Sequence, residues 1–276
     1  WEELKLRVRT WWVIAAVFVL ALVSPSWAAV GIFAAGSFLA LKEYLTLIPT
    51  RQADHLPLVW AYLAIPLQYY WVAMGWYGMF AIFIPIYAFL FIPLQMVMAG
   101  ETKGFLHAAS TLQWGLMITV YCLSHVAFLL VLPDTAVGSH PGNGPLLVLY
   151  LVLLTQANDV FQFLWGKALG RQKIVPKVSP GKTVAGFVGG VATTTLLGGA
   201  LGPWFTPMTW SCSLVAGLLI GLAGFVGDVV ISALKRDIGV KDSGRLLPGH
   251  GGILDRLDSL TYTAPLFFHF LRHWYY

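Results

Sequence analysis

Long apolar runs broken by short polar stretches pattern this chain from end to end. Nine such runs lie at roughly 11–24, 27–41, 56–74, 78–98, 105–132, 145–166, 184–201, 210–234 and 260–275. Most are long enough to cross a bilayer as a helix, which takes about 20 apolar residues. The first two are short and are separated by Pro25, so they read either as one kinked helix or as a tight helical hairpin. The pattern predicts an all-α, polytopic integral membrane protein.

The basic residues choose between the two readings of the first runs. With nine spans and the N-terminus inside, the inside segments hold every one of the 17 Lys and Arg residues except Arg272. Loops 133–144 and 202–209 carry none. Merging the first two runs would leave Lys5, Arg7 and Arg9 on the wrong side. Lys and Arg accumulate on the cytoplasmic face, so nine spans with the N-terminus in and the C-terminus out are expected.

Composition agrees. Of the 276 residues 58% are hydrophobic and 11% charged, against about a quarter charged in soluble domains. The net charge of +5 is accounted for by topology and implies no nucleic-acid partner. Cys122 and Cys212 lie in apolar runs and suggest neither a disulfide framework nor a zinc site.

Two parts are expected. Residues 1–144, rich in Trp, Tyr, Phe and Leu, read as lipid-facing transmembrane helices with a dimerisation or lipid-access role. Residues 145–276 read as a catalytic bundle with cytoplasmic loops at 166–183 and 235–259. Glycine is dense in this second part, and Gly217 and Gly221 have the four-residue spacing that lets helix backbones approach closely.

Two carboxylates sit inside apolar runs, Asp159 and Asp228. A charge at membrane depth costs several kcal/mol and marks a functional candidate. At 1.5 Å per residue, Asp228 lies about 10 Å before Lys235 and Asp159 about 12 Å before Lys167. Both helices end on the expected cytoplasmic side, so the two acids can meet at similar depth. Asp228 shares a helix face with Ser232 and Lys235. Acid below and cations at the rim suit a metal ion with phosphates above it.

Two loops supply the rim. "GKALGRQKIVPKVSPGKT" (166–183) is basic and rich in Gly and Pro, but Pro176 stands where a P-loop needs its first glycine. "KRDIGVKDSGRLLPGHGGILDRLD" (235–258) concentrates charge and glycine together. Its glycines let backbone N–H groups approach an anion, and Lys235, Arg236, Lys241, Arg245 and Arg256 offer positive charge. Asp242, Asp255 and Asp258 would repel phosphate without a mediating cation, and hard oxygen donors beside phosphate point to Mg²⁺. His250, flanked by glycines, is suited to touching a phosphate, acting as an acid or making a positional hydrogen bond.

The run from Ser232 to Asp258, S-A-L-K-R, four residues, K-D-S-G, two residues, L-P-G-H-G-G-I-L-D-R-L-D, resembles the signature of the phosphatidate cytidylyltransferases, also called CDP-diacylglycerol synthases. Asn158-Asp159, Gly166 and "PKVSPGKT" (176–183) resemble that family's other conserved region. Where the family continues this motif with Trp-Glu-Gly, the chain has Val184-Ala185-Gly186, a departure that resembles a divergent bacterial paralogue. The resemblance implies an all-helical, dimeric enzyme of the bacterial inner membrane with its site facing the cytoplasm. It implies transfer of CMP from CTP to phosphatidic acid, giving CDP-diacylglycerol and pyrophosphate. It assigns Mg²⁺, and a second cation such as K⁺, to Asp228 and Asp255. Lys235 and Arg236 are expected to act with them on the triphosphate. Substrate contacts are expected from Asn158, Asp159, Ser179, Lys182, Thr183, Ser232, Lys241, Asp242, His250, Gly251, Gly252 and Arg256. Three rivals stay open: a CTP-dependent lipid kinase, a cytidylyltransferase for another lipid phosphate, and a cation-coupled transporter using Asp159 and Asp228. A non-catalytic scaffold, suggested by Ala185, is a further one.

Overall fold

The computed structural model describes residues 2–49, 51, 54–134, 143–244, 246–249 and 251–276. Among these residues there is no strand, only two isolated β-bridges between helices. The helices are α1 (Glu2–Val23), α2 (Ser26–Leu47), α3 (His55–Ala73), α4 (Tyr77–Met98), α5 (Phe105–Val131), α6 (Gly144–Leu169), α7 (Val184–Phe205), α8 (Trp210–Asp237), α9 (Leu254–Leu257) and α10 (Leu260–Tyr275). The protein is an all-α membrane protein. Every apolar run is helical, and α1 and α2 are separate helices divided at Ser24 and Pro25. Seven helices, α1, α2 and α4–α8, are both long and apolar enough to cross a bilayer. The runs at 56–74 and 260–275 fold as α3 and α10 but fall outside that group.

The chain forms two compact units, residues 1–131 with 242–254, and residues 132–241 with 255–276. In the first, α2 packs on α3 and α5. The Ser37 and Tyr69 hydroxyls share a 2.7 Å hydrogen bond, and Tyr44 donates to the Thr111 carbonyl at 2.8 Å. Pro85 has no N–H to offer the Ala81 carbonyl, which takes a 3.2 Å bond from the Tyr121 hydroxyl instead. Around it α4 widens to π-helix over Phe83–Ala88, and Gln113 donates to the Ile84 carbonyl at 3.3 Å. In hydrocarbon a carbonyl freed by proline must find a partner within the protein.

The second unit packs α6 on α7, α7 on α8, and α8 on α10. Glycine sets these approaches. A Cβ on Gly198 would lie 2.8 Å from the Gly217 Cα, and one on Gly221 would lie 3.2 Å from the Val191 Cα. Close small-residue packing thus holds at the Gly217/Gly221 face, as its spacing predicts. Asn143, Thr183 and Thr209 cap α6, α7 and α8 by accepting from Leu146 N–H, Gly186 N–H and Cys212 N–H.

Candidate active site

Asp159, Lys182, Asp228, Lys235, Asp255 and Asp258 of the second unit gather near the C-terminal ends of α6 and α8. α8 runs to Asp237, so Lys235 and Arg236 lie in its last turn rather than in a loop. One turn apart on α8, the Ser232 hydroxyl donates to Asp228 Oδ1 at 3.2 Å. Lys182, one residue before the cap of α7, reaches Asp228 Oδ2 at 2.5 Å and Gln162 Oε1 at 2.9 Å. Its ammonium also lies 5.7 Å from the Phe225 ring centre, a cation–π contact. Asp159 on α6 accepts from the Ser259 hydroxyl at 3.1 Å and lies within electrostatic reach of Lys182, Asp228 and Arg256. The two acids expected to meet from separate helices are therefore neighbours.

A second ion pair closes the signature on itself. Lys235 Nζ donates to Asp255 Oδ1 at 2.7 Å, with both side chains nearly buried. Asp255 is the second residue of the single turn α9. Asp255, Arg256 and Asp258 line a cleft of about 310 Å³ with Gln156, Asp159, Val160 and Phe163 of α6. That volume lies at the lower end of the range for small-ligand sites. Asp258 is pushed up to about 7, first by burial, then by the charges of Asp228 and Asp159. The Ser259 N–H, donating to it at 2.7 Å, and nearby Lys235 pull the other way.

Other expected site residues hold the frame. Asn158, fully buried, donates to the Gly221 carbonyl and accepts from Thr194 Oγ1, both at 3.2 Å, tying α6 to α8 and α7. Thr183 is 3% exposed, with its hydroxyl capping α7. Ser179 is half-buried, in a turn where its N–H donates to the Val175 carbonyl at 2.8 Å. Arg236 donates to the Val178 and Val240 carbonyls, both at 3.2 Å, joining the 170–183 loop to the end of α8. Lys241 is exposed at the end of this unit's segment. Ala185 stands in the first turn of α7, half-buried.

Asp242, Gly251 and Gly252 belong to the first unit. Asp242 is exposed. Gly251 has φ +81°, a conformation that excludes most side chains, and its carbonyl accepts from Leu247 N–H at 3.0 Å. Gly252 packs against the Glu43 carboxylate with no room for a Cβ. His250 and Arg245 lie outside the described residues.

Sequence reasoning passed over Ser259, Gln156 and Glu43. Ser259 and Gln156 carry no pattern that would single them out. Glu43 does, because it is a carboxylate at the end of an apolar run, and α2 continues past it to Leu47. The run drawn at 27–41 stopped two residues short of it.

Among the described residues no three His, Cys, Asp or Glu side chains converge as a ready metal centre. That is compatible with Mg²⁺, which takes one or two carboxylates and completes its shell with substrate phosphates and water. Asp228 and Asp255 offer hard oxygen donors, and each already faces a lysine ammonium. The donor chemistry therefore fits such an ion.

A helical membrane bundle that gathers carboxylates and lysines beside a small cleft has the makings of a membrane-embedded phosphate-handling enzyme. Comparison with known proteins gives the family: the chain matches the Cytidylyltransferase family over residues 5–274 and belongs to it. It is 51% identical over 271 residues to the uncharacterized protein YnbB of Escherichia coli K12, covering 98% of this chain and 88% of that one. It is 45% identical over 138 residues to a phosphatidate cytidylyltransferase of Synechocystis, covering 48% and 46% of the two chains. It is 37% identical over 161 residues to a phosphatidate cytidylyltransferase of Staphylococcus aureus COL, covering 56% and 59%. The matched part is thus about half the length of each of these two named enzymes.

Proposed function

We propose that this chain is a Mg²⁺-dependent CTP:phosphatidate cytidylyltransferase of the bacterial inner membrane, working from the cytoplasmic face. The observation that carries the reading is the Lys235–Asp255 ion pair at 2.7 Å. It joins two positions of the family signature 20 residues apart, beside a cleft lined with carboxylates and Arg256. Family membership and the named relatives support the same reaction class.

An oxygen of the lipid phosphate forms a bond to the α-phosphorus of CTP. The bond from that phosphorus to the α,β-bridging oxygen breaks, and pyrophosphate leaves with the electron pair. The nucleophile is already an anion near neutral pH, so no strong base is required. Such transfers depend on positioning and on neutralising charge. Asp228 and Asp255 would hold Mg²⁺, which when bound polarises the phosphates and offsets the charge of the leaving pyrophosphate. Lys182 and Lys235, kept half-buried beside these acids, lend positive charge to two meeting anions. Asp228 sits about two helical turns before the end of α8, so a lipid phosphate at the interface has only a short way to reach. Arg256 at the exposed rim contributes a fork suited to phosphate oxygens.

The test is purified protein in detergent with Mg²⁺, phosphatidic acid and CTP labelled separately at the α and γ positions. Label from the α position should enter the lipid with release of pyrophosphate. Asp255→Asn should lower the rate at least about 100-fold, the scale of losing a metal-holding group. Transfer of γ-label to a lipid alcohol would make the protein a kinase instead. CTP binding without either transfer would point to another lipid phosphate, or to a cost of Ala185.

A further inference from the structure

The first unit buries a carboxylate that the reaction above does not use. Glu43 is 7% exposed near the C-terminal end of α2. A carboxylate removed from water costs several kcal/mol unless hydrogen bonds replace its hydration. Three donors do so here. Leu254 N–H donates to Oε1 at 3.0 Å, Ile253 N–H donates to Oε2 at 2.8 Å, and the Ser243 hydroxyl donates to Oε1. Two glycines give the carboxylate its space. A Cβ on Gly244 would come within 2.7 Å of Oε2, and one on Gly252 would overlap Oε1.

One side chain thus clasps both ends of the segment 243–254. Ser243 and Gly244 meet it at one end, and Gly252, Ile253 and Leu254 at the other. Between them the chain turns back on itself. Leu247 N–H donates to the Gly251 carbonyl at 3.0 Å, and Gly249 and Gly251 both have positive φ. Thr10 of α1 donates to the Pro248 carbonyl at 2.9 Å. Lys241-Asp242 leads the chain into this segment, and Asp255-Arg256 leads it out.

We propose that Glu43 is a positioning residue for the cytidylyl transfer. By closing the ends of 243–254, it fixes where Asp255 begins after Leu254. The inference rests on the function proposed above. A single helix residue, 200 positions away in sequence from the Ser243 it binds, thereby sets the starting point of a proposed metal-holding acid. Supporting hydrogen bonds of this kind typically account for 10–100-fold in metal affinity or activity.

The experiment uses the full chain in detergent and compares wild type with Glu43→Gln, Ser243→Ala and Ser37→Ala. Glu43→Gln turns an amide N–H toward donors that need an acceptor. Ser243→Ala removes only the hydroxyl donor and is the milder change. Ser37→Ala breaks a buried hydrogen bond on the same helix and reports plain loss of stability. Two quantities are read: the Mg²⁺ and CTP dependence of CMP transfer, and amide hydrogen exchange over 242–254. Glu43→Gln should raise the half-saturating Mg²⁺ concentration about tenfold or more and speed exchange in that segment. Ser243→Ala should shift both in the same direction by less. Ser37→Ala should leave both unchanged, whatever it does to the melting temperature. The inference is overturned if an active wild type is matched by Glu43→Gln in Mg²⁺ and CTP dependence, or if exchange over 242–254 does not change. A wild type that transfers no CMP overturns the underlying function, an outcome distinct from either of these.

Discussion

Asp258 is an acid whose surroundings disfavour its charge. It lies outside the apolar spans, yet burial and the neighbouring Asp228 and Asp159 lift it from an ordinary 3.8 to about 7. The folded chain therefore keeps this proton between about pH 3.8 and 7, where the unfolded chain has lost it. With no divalent cation present, Asp258 should make the fold progressively less stable as pH rises through that window. Thermal unfolding in EDTA from pH 5 to 8 should show the fall, and Asp258→Asn should remove that part of the slope. If Mg²⁺ enters the cleft, it replaces the proton as counter-charge and should restore stability most at pH 8. An Asp258→Asn slope equal to wild type would sink this account. The same scale shows what the sequence makes legible. Asp159 and Asp228 stand out because a carboxylate in an apolar run needs a reason, and the structure makes them neighbours. Glu43 has the same property, but it lies two residues past the apolar run at 27–41, beside Lys42, while α2 continues to Leu47. Asn158 and Thr183 lie in motif positions, and the structure gives both framework bonds. Residue type cannot separate a helix tie from a substrate contact, because one amide or hydroxyl suits either.

At the scale of elements, the α7–α8 crossing is set by backbone rather than by side chains. Gly198 and Gly217 leave no space for a Cβ, because the nearest atoms a new methyl would meet, the Gly217 Cα and the Thr194 carbonyl oxygen, belong to the opposing backbone. Gly198→Val must therefore move a helix. Overpacking of this kind costs about 1–3 kcal/mol, and here it should also displace Asp228 on α8 relative to Lys182 before α7. Expected are a lower melting temperature in detergent and a loss of activity larger than the stability loss explains. Gly36→Ala on α2 is the control. Its Cβ would meet nothing within 4 Å, so the change should be neutral or stabilising by up to about 1 kcal/mol. A Gly198→Val protein as stable and active as wild type would mean that the crossing can relax. Four-residue glycine spacing made close packing legible in the sequence. The partners of each face were not, because Gly198 and Gly217 are matched by helix geometry and not by any sequence signal.

At the scale of the whole chain, sidedness turns on α3. If α3 crosses the bilayer, Lys5, Arg7 and Arg9 share a face with the 170–183 and 235–241 segments, as the distribution of charge demands. If it does not, every later segment changes side relative to the N-terminus. α3 falls outside the seven most apolar helices, but the deficit is on its inner face. Gln68 is fully buried, donating to the Phe80 carbonyl and to Ser124 Oγ, and Tyr69 is bonded to Ser37. The outer face reads Leu56, Val59, Leu63, Leu67, Tyr70, an exposed stripe at helical spacing that continues to Met74. A helix apolar where it meets lipid and polar where it packs inside its own unit is suited to span, and 19 residues reach about 28 Å. Cysteines placed singly at Ile48 and Trp76, which flank α3, should then react with an impermeant thiol reagent from opposite sides of the membrane. The Ile48 position should label together with Ser179→Cys from the cytoplasmic side. The pair would be read in a background with Cys122 and Cys212 replaced by Ala, so that only the introduced thiols report. Labelling of Ile48→Cys and Trp76→Cys from the same side would mean that α3 lies within one leaflet, and would put the N-terminal basic cluster across the membrane from the candidate active site.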